Sequence, residues 1–466
     1  MHYDVCVFGL GPVGTVSAAC FAKQGFYVTG VDIDPARIEA IREGRAPFVE
    51  PGIDELVREG VQAGRLSAGE DYKVAAQSDV VVIAVGTPTK DEPDLSQLDK
   101  VCAQIGYALR ESDNAPVIAV RSTVPPGTIR RRLTHIVEKA SGKKAGEGFH
   151  MASNPEFLRE GTAVADFFRT GRVVIGADTE EAGNRIEALY REVEADERLR
   201  VSVEAAEFAK YVDNTWHALK VSFANEIGRI AVAFGGRPEE TARVFLSDRR
   251  LNLSGNYLKP GFAFGGSCLP KDVRGLSWLA DELGVQAPLV NSILPSNEAH
   301  IALGLNAILA TRPKRVGIFG VAFKEHVDDL RESPALAIAS QLIAGDIGVA
   351  AHDPAYRPGE RLPLGDTPHR LDIMEPDMVA GTADTLVIMH RLPAYYELAA
   401  RYGRKPVIDL TRCPEMARNA FAMKPLKPVR SSYSSGAAVS APREERQSFG
   451  ASLPVLSLMR KTILPS

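Results

Sequence analysis

The 466-residue sequence predicts an α/β protein with a doubly wound parallel sheet near each end and a helical domain between them. Two observations predict it. Short β-branched runs alternate with helical periodicity through the first third, and the same alternation restarts after Thr311. Between them, Glu204 to Leu309 carries helical periodicity alone, with one long helix expected over Glu204–Phe234. Apolar residues at 45 % and charged ones at 24 % give an ordinary globular balance and exclude wholesale disorder or fibrous repeats.

Strands are expected at Tyr3–Phe8, Tyr27–Val31, Val80–Val85 and Val117–Val120, with helices at Val13–Gln24 and Leu95–Arg110. Such continuous apolar strands suit a parallel sheet covered on both faces. In the last third, RVGIFGVAF reads as strand and turn, Ala335–Ala344 as a helix, and DTLVIMH and PVIDL as strands. Domains are therefore expected over 1–203, 204–310 and 311–423. From residue 424 the chain turns rich in Ser, Pro and basic residues without a period, so a disordered tail is expected over 424–466.

A net charge of −4 and a pI near 6.2 give no electrostatic reason to bind nucleic acid or a membrane. No apolar run approaches the ~20 residues that span a bilayer, and the first residues read as strand and turn rather than as a leader. Five scattered cysteines argue against a disulfide framework and for a reducing compartment, so a cytoplasmic location is expected. No metal site is expected.

Gly9, Gly11 and Gly14 form G-x-G-x-x-G directly after the first strand and at the start of a helix, the pattern that brings a pyrophosphate onto backbone N–H groups. Pro12 and Val13 lie inside it. Asp32 follows Gly14 by eighteen residues at the end of the second strand, where a carboxylate accepts from a ribose 2′-OH and repels a 2′-phosphate. NAD is therefore the expected cofactor over NADP, with Arg37 nearby pulling the other way. Thr87 and Thr123 follow two further strand ends, where ligands of open parallel sheets bind. As isolated threonines they serve equally as turn or cap residues.

The segment from Gly261 to Asp272, GFAFGGSCLPKD, carries the most chemistry. Pro270 suits the first turn of a helix, which puts Cys268 at a helix N-terminus where partial positive charge favours a thiolate. Lys271 adds to that field, and Asp272 can orient a lysine or a water. Cys6, Cys20 and Cys102 lie in apolar patterns and read as inert. On the long helix, Lys210, Asn214, His217 and Asn225 fall within an arc of roughly 80°. A solvated face is the ordinary reading of such a stripe, and a cleft lined for sugar or phosphate oxygens is the functional one. Glu156 and Glu160, beside a strand end, offer two candidate general bases.

The chain resembles the nucleotide-sugar 6-dehydrogenases, the UDP-glucose and GDP-mannose dehydrogenases, from about Tyr3 to Pro414. The resemblance rests on GLGPVG, VEPGIDEL, GTPT, RSTVPPGT, NPEFLREGTA, KYVDNTWHALKVSFANEIG, FGGSCLPKD and FKEHVDDLRESP. RST, HALKVSFANEIG and the PGFAFGG stretch look closer to the GDP-mannose branch, with UDP-glucose as the alternative substrate. A catalytically idle binder of NAD or a nucleotide sugar is the alternative of another class, and the intact Cys268, Lys210, Glu160 and Asp272 set argues against it.

The resemblance implies Rossmann-type domains at both ends and a double oxidation, in which the sugar C6 alcohol passes through an aldehyde held on Cys268 to the carboxylate. It implies Glu160 as base for the hydrolytic water, Lys210, Asn214 and Asp272 as oxyanion or water stabilisers, and Thr123 as an assistant through a water. Lys271 and Arg331 would join Gly9, Gly11, Pro12, Val13, Gly14, Asp32, Arg37, Thr87 and Thr123 on the NAD side. His217, Asn225, Asn256, Tyr257, Lys259, Phe262, Gly265 and Lys324 would hold the nucleotide sugar with Glu160, Lys210 and Asn214. The resemblance also implies a homodimer or higher oligomer built through the central helices. The sequence departs from the family pattern at Pro12 and Asn256, each in place of Tyr, at Lys259 in place of Arg, and at Val327 in place of Thr.

Overall fold

The first sheet joins eight strands, β1 (Asp4–Phe8), β2 (Tyr27–Val31), β3 (Leu66–Gly69), β4 (Val80–Ile83), β5 (Val117–Val120), β6 (His150–Ser153), β7 (Arg169–Ala177) and β8 (Glu194–Val201), in the order β3-β2-β1-β4-β5-β6-β7-β8. These come from a computed structural model that describes residues 3–233, 235–249, 256–259, 261–365 and 367–412. The tail expected at 424–466 lies outside the described residues, as does the end of the third expected domain.

The first six strands run parallel in the doubly wound order, with β4 crossing to the far side of β1. β7 turns antiparallel to β6, a reversal that sequence alternation does not announce. Helices α1 (Pro12–Lys23), α2 (Pro35–Arg42), α3 (Ile53–Gln62), α4 (Ser96–Leu109), α5 (Thr134–Ser141), α6 (Ala163–Phe168) and α7 (Glu180–Ala188) cover the sheet. The two-residue period of a strand divides its side chains between two cores. Val5 and Val7 of β1 enter one, Cys6 and Phe8 the other.

The middle of the chain is helical: α8 (Val203–Ala233), α9 (Pro238–Ser247), α10 (Leu269–Glu282) and α11 (Pro288–Leu309). A second sheet follows, built from β9 (Arg315–Phe319), β10 (Gly348–His352), β11 (Arg361–Pro363), β12 (Arg370–Ile373), β13 (Thr385–Ile388) and β14 (Val407–Asp409) in the order β11-β12-β10-β9-β13-β14. Only β11 runs antiparallel to its neighbour. Helices α12 (Pro334–Ala344), α13 (Pro376–Thr382) and α14 (Pro393–Arg401) pack on it. The two sheets repeat one design: Asp353 follows β10 and accepts from the N–H groups of Val321 and Ala322, as Asp32 after β2 accepts from Leu10. Among the described residues, no helix is long and apolar enough to cross a membrane.

Candidate active site

The first part of the site is a cradle at the β1–α1 turn. Gly9 has φ +92°, and a Cβ there would lie 2.8 Å from the Ala84 carbonyl oxygen. At Gly14 it would lie 1.7 Å from the Gly9 oxygen, so the helix can pack on the strand only without a side chain. Gly11 faces open space, and Pro12 starts α1. The turn therefore leaves its middle glycine and the helix N-terminus bare for a pyrophosphate. Asp32 lies buried beside it, its two oxygens accepting from Leu10 N at 2.5 Å and Asp34 N at 2.9 Å. Each oxygen keeps acceptor capacity for a ribose hydroxyl. Arg37 lies 3.4 Å from Asp32 and 3.5 Å from Asp34, so its charge is already answered by two carboxylates. These residues fit an NAD molecule. Thr87 and Thr123, at the ends of β4 and β5, are tied to each other: the Thr87 hydroxyl donates to the Thr123 carbonyl at 2.8 Å.

The second part centres on Cys268, the residue that caps α10. Lys271 and Asp272 occupy the first turn, and Lys271 Nζ donates to Asp272 Oδ1 at 2.5 Å. Asn214 of α8 donates to the other Asp272 oxygen at 2.5 Å. Lys210, one turn earlier on α8, pairs with Glu156 at 3.0 Å, both side chains being almost wholly buried. Burial opposes charge on Lys210, but Glu156, Cys268 and Asp272 together outweigh it and hold the ammonium above its usual range. Burial also raises Glu156, yet Lys210 and Arg121 hold it below the usual carboxylate value. Of the two candidate bases, Glu156 is thus a fixed counter-ion.

Glu160 is the other case. Burial first, and Asp329 second, push its carboxyl up to about 7, against the pull of Arg331, Ser267 and Lys324. Its Oε1 accepts from the Ser267 hydroxyl at 3.2 Å, and that hydroxyl lies 3.5 Å from Cys268 Sγ. The expected thiolate needs correction. Burial raises the Cys268 thiol, and Lys271 and Lys210 only partly offset it, so the resting group is a thiol that needs a proton acceptor. Cys6, Cys20 and Cys102 are buried, and burial raises each of them.

The stripe on α8 inverts the ordinary amphipathic pattern. Lys210, Asn214 and Asn225 are buried, whereas Phe208, Val212, Trp216, Phe223 and Ile230 are exposed. His217 stacks on Tyr257 with ring centroids 4.8 Å apart, and burial lowers its basicity. The Asn225 amide meets loop backbone at both ends: Nδ2 donates to the Phe262 carbonyl at 3.1 Å and Oδ1 accepts from Gly261 N at 3.0 Å. Phe262 itself packs against the core of the second sheet and His300. Gly265 serves packing too, since a Cβ there would lie 2.3 Å from the Glu332 carbonyl oxygen. Asn256 and Lys259 are exposed beside Tyr257. Lys324 donates to the Glu160 carbonyl at 2.6 Å. Arg331 pairs with Asp329, and its carbonyl accepts from Gly266 N at 3.0 Å. Lys271 and Arg331 thus sit around Cys268 and Glu160 with protein partners already in hand.

Three residues that sequence reading passed over brace this cluster. Glu50, within VEPGIDEL, accepts from Gly161 N and Ala163 N at 2.7 and 2.8 Å and so holds the loop behind Glu160. Arg121, the R of RST, donates to Asn154 and to Tyr190, beside Glu156. Glu207 of α8 accepts from Ile129 N at 2.8 Å, and burial pushes it up to about 7. Their only sequence trace is membership of motifs quoted for other reasons, or a lone carboxylate on an apolar helix.

Three domain descriptions of the UDP-glucose/GDP-mannose dehydrogenase family match the chain: the NAD binding domain over residues 3–194, the central domain over 204–299 and the UDP binding domain over 317–415. A GDP-mannose 6-dehydrogenase of Pseudomonas aeruginosa is 45 % identical over 342 residues, 73 % of this chain and 78 % of the relative. A UDP-glucose 6-dehydrogenase of the same organism is 36 % identical over 386 residues, 78 % and 84 % of the two chains. Among solved structures, a UDP-glucose dehydrogenase of Pyrobaculum islandicum superposes with a TM-score of 0.81 at 33 % identity, covering 89 % of this chain and 96 % of that one.

Proposed function

Because the chain belongs to the UDP-glucose/GDP-mannose dehydrogenase family and is an NAD-dependent nucleotide-sugar dehydrogenase, we propose that it oxidises the C6 alcohol of GDP-mannose to the carboxylate through a covalent adduct on Cys268. The observation that carries this reading is the convergence of a nucleophile, a tuned base and buried donors. Cys268 lies one hydroxyl away from Glu160, and Lys210, Asn214 and Asp272 crowd the same turn of α10. NAD, when bound, supplies the hydride acceptor for both oxidations.

In this reading Lys210 and Asn214 present N–H donors to the oxygen on C6 as charge develops there. Cys268 forms a bond to the aldehyde carbon, which keeps the half-oxidised sugar bound as a thiohemiacetal and, after the second oxidation, as a thioester. Glu160, poised near neutrality, removes a proton from the water that cleaves the thioester. Asp272 orients Lys271 and Asn214. Asn225 is a positioning residue for the 261–262 backbone, and Tyr257 stacked on His217 offers a surface for the sugar nucleotide. Lys324 sits in reach of the same substrate from the second sheet.

The higher identity to a GDP-mannose enzyme than to a UDP-glucose enzyme favours GDP-mannose. The UDP binding description of the third domain favours UDP-glucose as a second reading. Purified protein with NAD and each nucleotide sugar, followed by NADH and by product mass, separates them. Turnover of GDP-mannose with two NADH per uronate is expected, and turnover of UDP-glucose alone rejects the substrate. Cys268→Ser should bind NAD normally and make no uronate. The apolar residues on α8 are a face for a second copy of this chain, which makes the protein a dimer in this proposal.

A further inference from the structure

We infer that Ser267 is a catalytic proton relay, carrying the proton of the Cys268 thiol to Glu160 when the sulfur attacks the aldehyde. The inference deepens the covalent reading above and rests on it. Cys268 and Glu160 make no direct hydrogen bond in the structure; the Ser267 hydroxyl is the group between them, 3.2 Å from Glu160 Oε1 and 3.5 Å from Cys268 Sγ. A hydroxyl both donates and accepts, so it can give its proton to the carboxylate while taking one from the thiol. The need for a relay follows from the resting thiol: burial disfavours the thiolate, and Lys271 and Lys210 only partly restore it.

The groups facing the relay are set on both sides. Glu160 is faced by Asp329, Arg331 and Lys324, and Cys268 by Lys271, Lys210, Glu156 and Asp272. Lys324 also holds the Glu160 backbone, and Glu50 holds the next residue. Those contacts fix the backbone that carries Glu160, its carboxylate meets the Ser267 hydroxyl, and Ser267 is the residue adjacent to Cys268 and moves with it. In the step, the S–H bond breaks and an O–H bond forms on Glu160, with one proton entering and one leaving Ser267. The sulfur pair forms the C–S bond, and the carbonyl pair moves onto oxygen. That alkoxide takes the proton back from Glu160, which leaves the thiohemiacetal neutral and Glu160 ionised for the later hydrolysis.

The test is the pH dependence of iodoacetamide alkylation at Cys268, measured without substrate, with the alkylated residue identified by mass. The rate should rise through a limb near pH 7 as Glu160 ionises. Ser267→Ala and Glu160→Gln should each erase that limb and slow alkylation at pH 7.5 on the order of tenfold or more, while Ser267→Thr retains it. Melting temperature and NAD affinity of Ser267→Ala establish that it is folded, and Ser267→Thr carries the comparison if it is not. Persistence of the limb in folded Ser267→Ala, or its loss in a folded Ser267→Thr, overturns the relay. Uronate formation by Cys268→Ala would instead overturn the covalent reading, a result the alkylation profile cannot mimic.

Discussion

Replacing Lys210 with Met tests whether the buried pair at the base of the site is structural, catalytic or both. Lys210 and Glu156 lie 3.0 Å apart with side chains only 5 % and 7 % exposed. Removing one partner strands the other charge in a poorly solvated place, a loss of about 3–5 kcal/mol. Removing a donor to the developing oxyanion costs about 10²–10³ in kcat. The two effects separate in the double variant Lys210→Met/Glu156→Gln, which removes both charges of the pair, keeps an acceptor for Leu158 N and leaves Arg121 its bonds to Asn154 and Tyr190. It should regain most of the stability and none of the rate.

The pH dependence supplies a second check. In the intact protein Glu156 is held below its usual value, so its contribution is present above the unfolded value of about 4.3 and lost as pH falls through the folded one. In Lys210→Met only Arg121 and the Leu158 N–H still oppose burial and the folded value rises, so the stability deficit widens as pH climbs above about 4.3. Urea melts at pH 5 and pH 8, with kcat alongside, measure all of this. A single variant within about 1 kcal/mol of the parent at pH 8, or a double variant with restored kcat, refutes the reasoning.

Glu160→Gln should bind nucleotide sugar, release two NADH per site in a single turnover, more slowly than the parent because the acceptor for the Cys268 proton is gone, and stall with a thioester adduct on Cys268 seen by mass spectrometry. Because burial sets Glu160 to about 7, uronate release by the parent should rise between pH 6 and pH 8 and then level, and multiple turnovers by the variant would remove Glu160 from its role. Gly265→Ala places a methyl 2.3 Å from the Glu332 oxygen and 2.8 Å from Pro334 Cδ, so a loss of about 1–3 kcal/mol is expected with a fall in kcat; an unchanged thermal midpoint speaks against the close approach. Trp216→Glu, at a side chain 55 % exposed, should lower the mass seen by sedimentation if α8 is the dimer face, and an unaltered mass counts against that face.

Strands β1, β2, β4, β5, β9, β13 and β14 were legible because they are short β-branched apolar runs, whereas β3, β6, β7, β8 and β10 to β12 carry small or charged residues (β8 reads EADERLRV) and were not. The cradle was legible because its three glycines do three different mechanical jobs. The reversal at β7 left no such mark, since a strand pairs antiparallel with the same residue types that it uses to pair parallel. Cys268 was legible from Pro270 and its glycines, but its ionisation was not: a helix N-terminus is local and visible in sequence, whereas burial is supplied by distant segments. The stripe on α8 was legible as a period but ambiguous in direction, because the same arc suits a wet face or a buried one. Only the pairing of Lys210 with Glu156, 54 residues apart, decides between them.

The centre of the site exists only where three stretches of chain meet, and that explains why so many of its residues touch protein. Glu160 arrives on a loop after β6, Ser267 and Cys268 on the turn into α10, and Lys324 and Arg331 on the segment after β9. Each junction has its own fastening: Lys324 to the Glu160 carbonyl, Gly266 to the Arg331 carbonyl, and Asn225 to the 261–262 backbone. The side-chain-free approach at Gly265 is what lets the second of these form. A base at about 7 needs this enclosure, because burial is the first cause of its shift. Anything that spreads the three stretches should therefore return Glu160 toward an ordinary carboxylate and move the pH profile of turnover downward before it abolishes binding of NAD, whose cradle lies wholly on the first sheet.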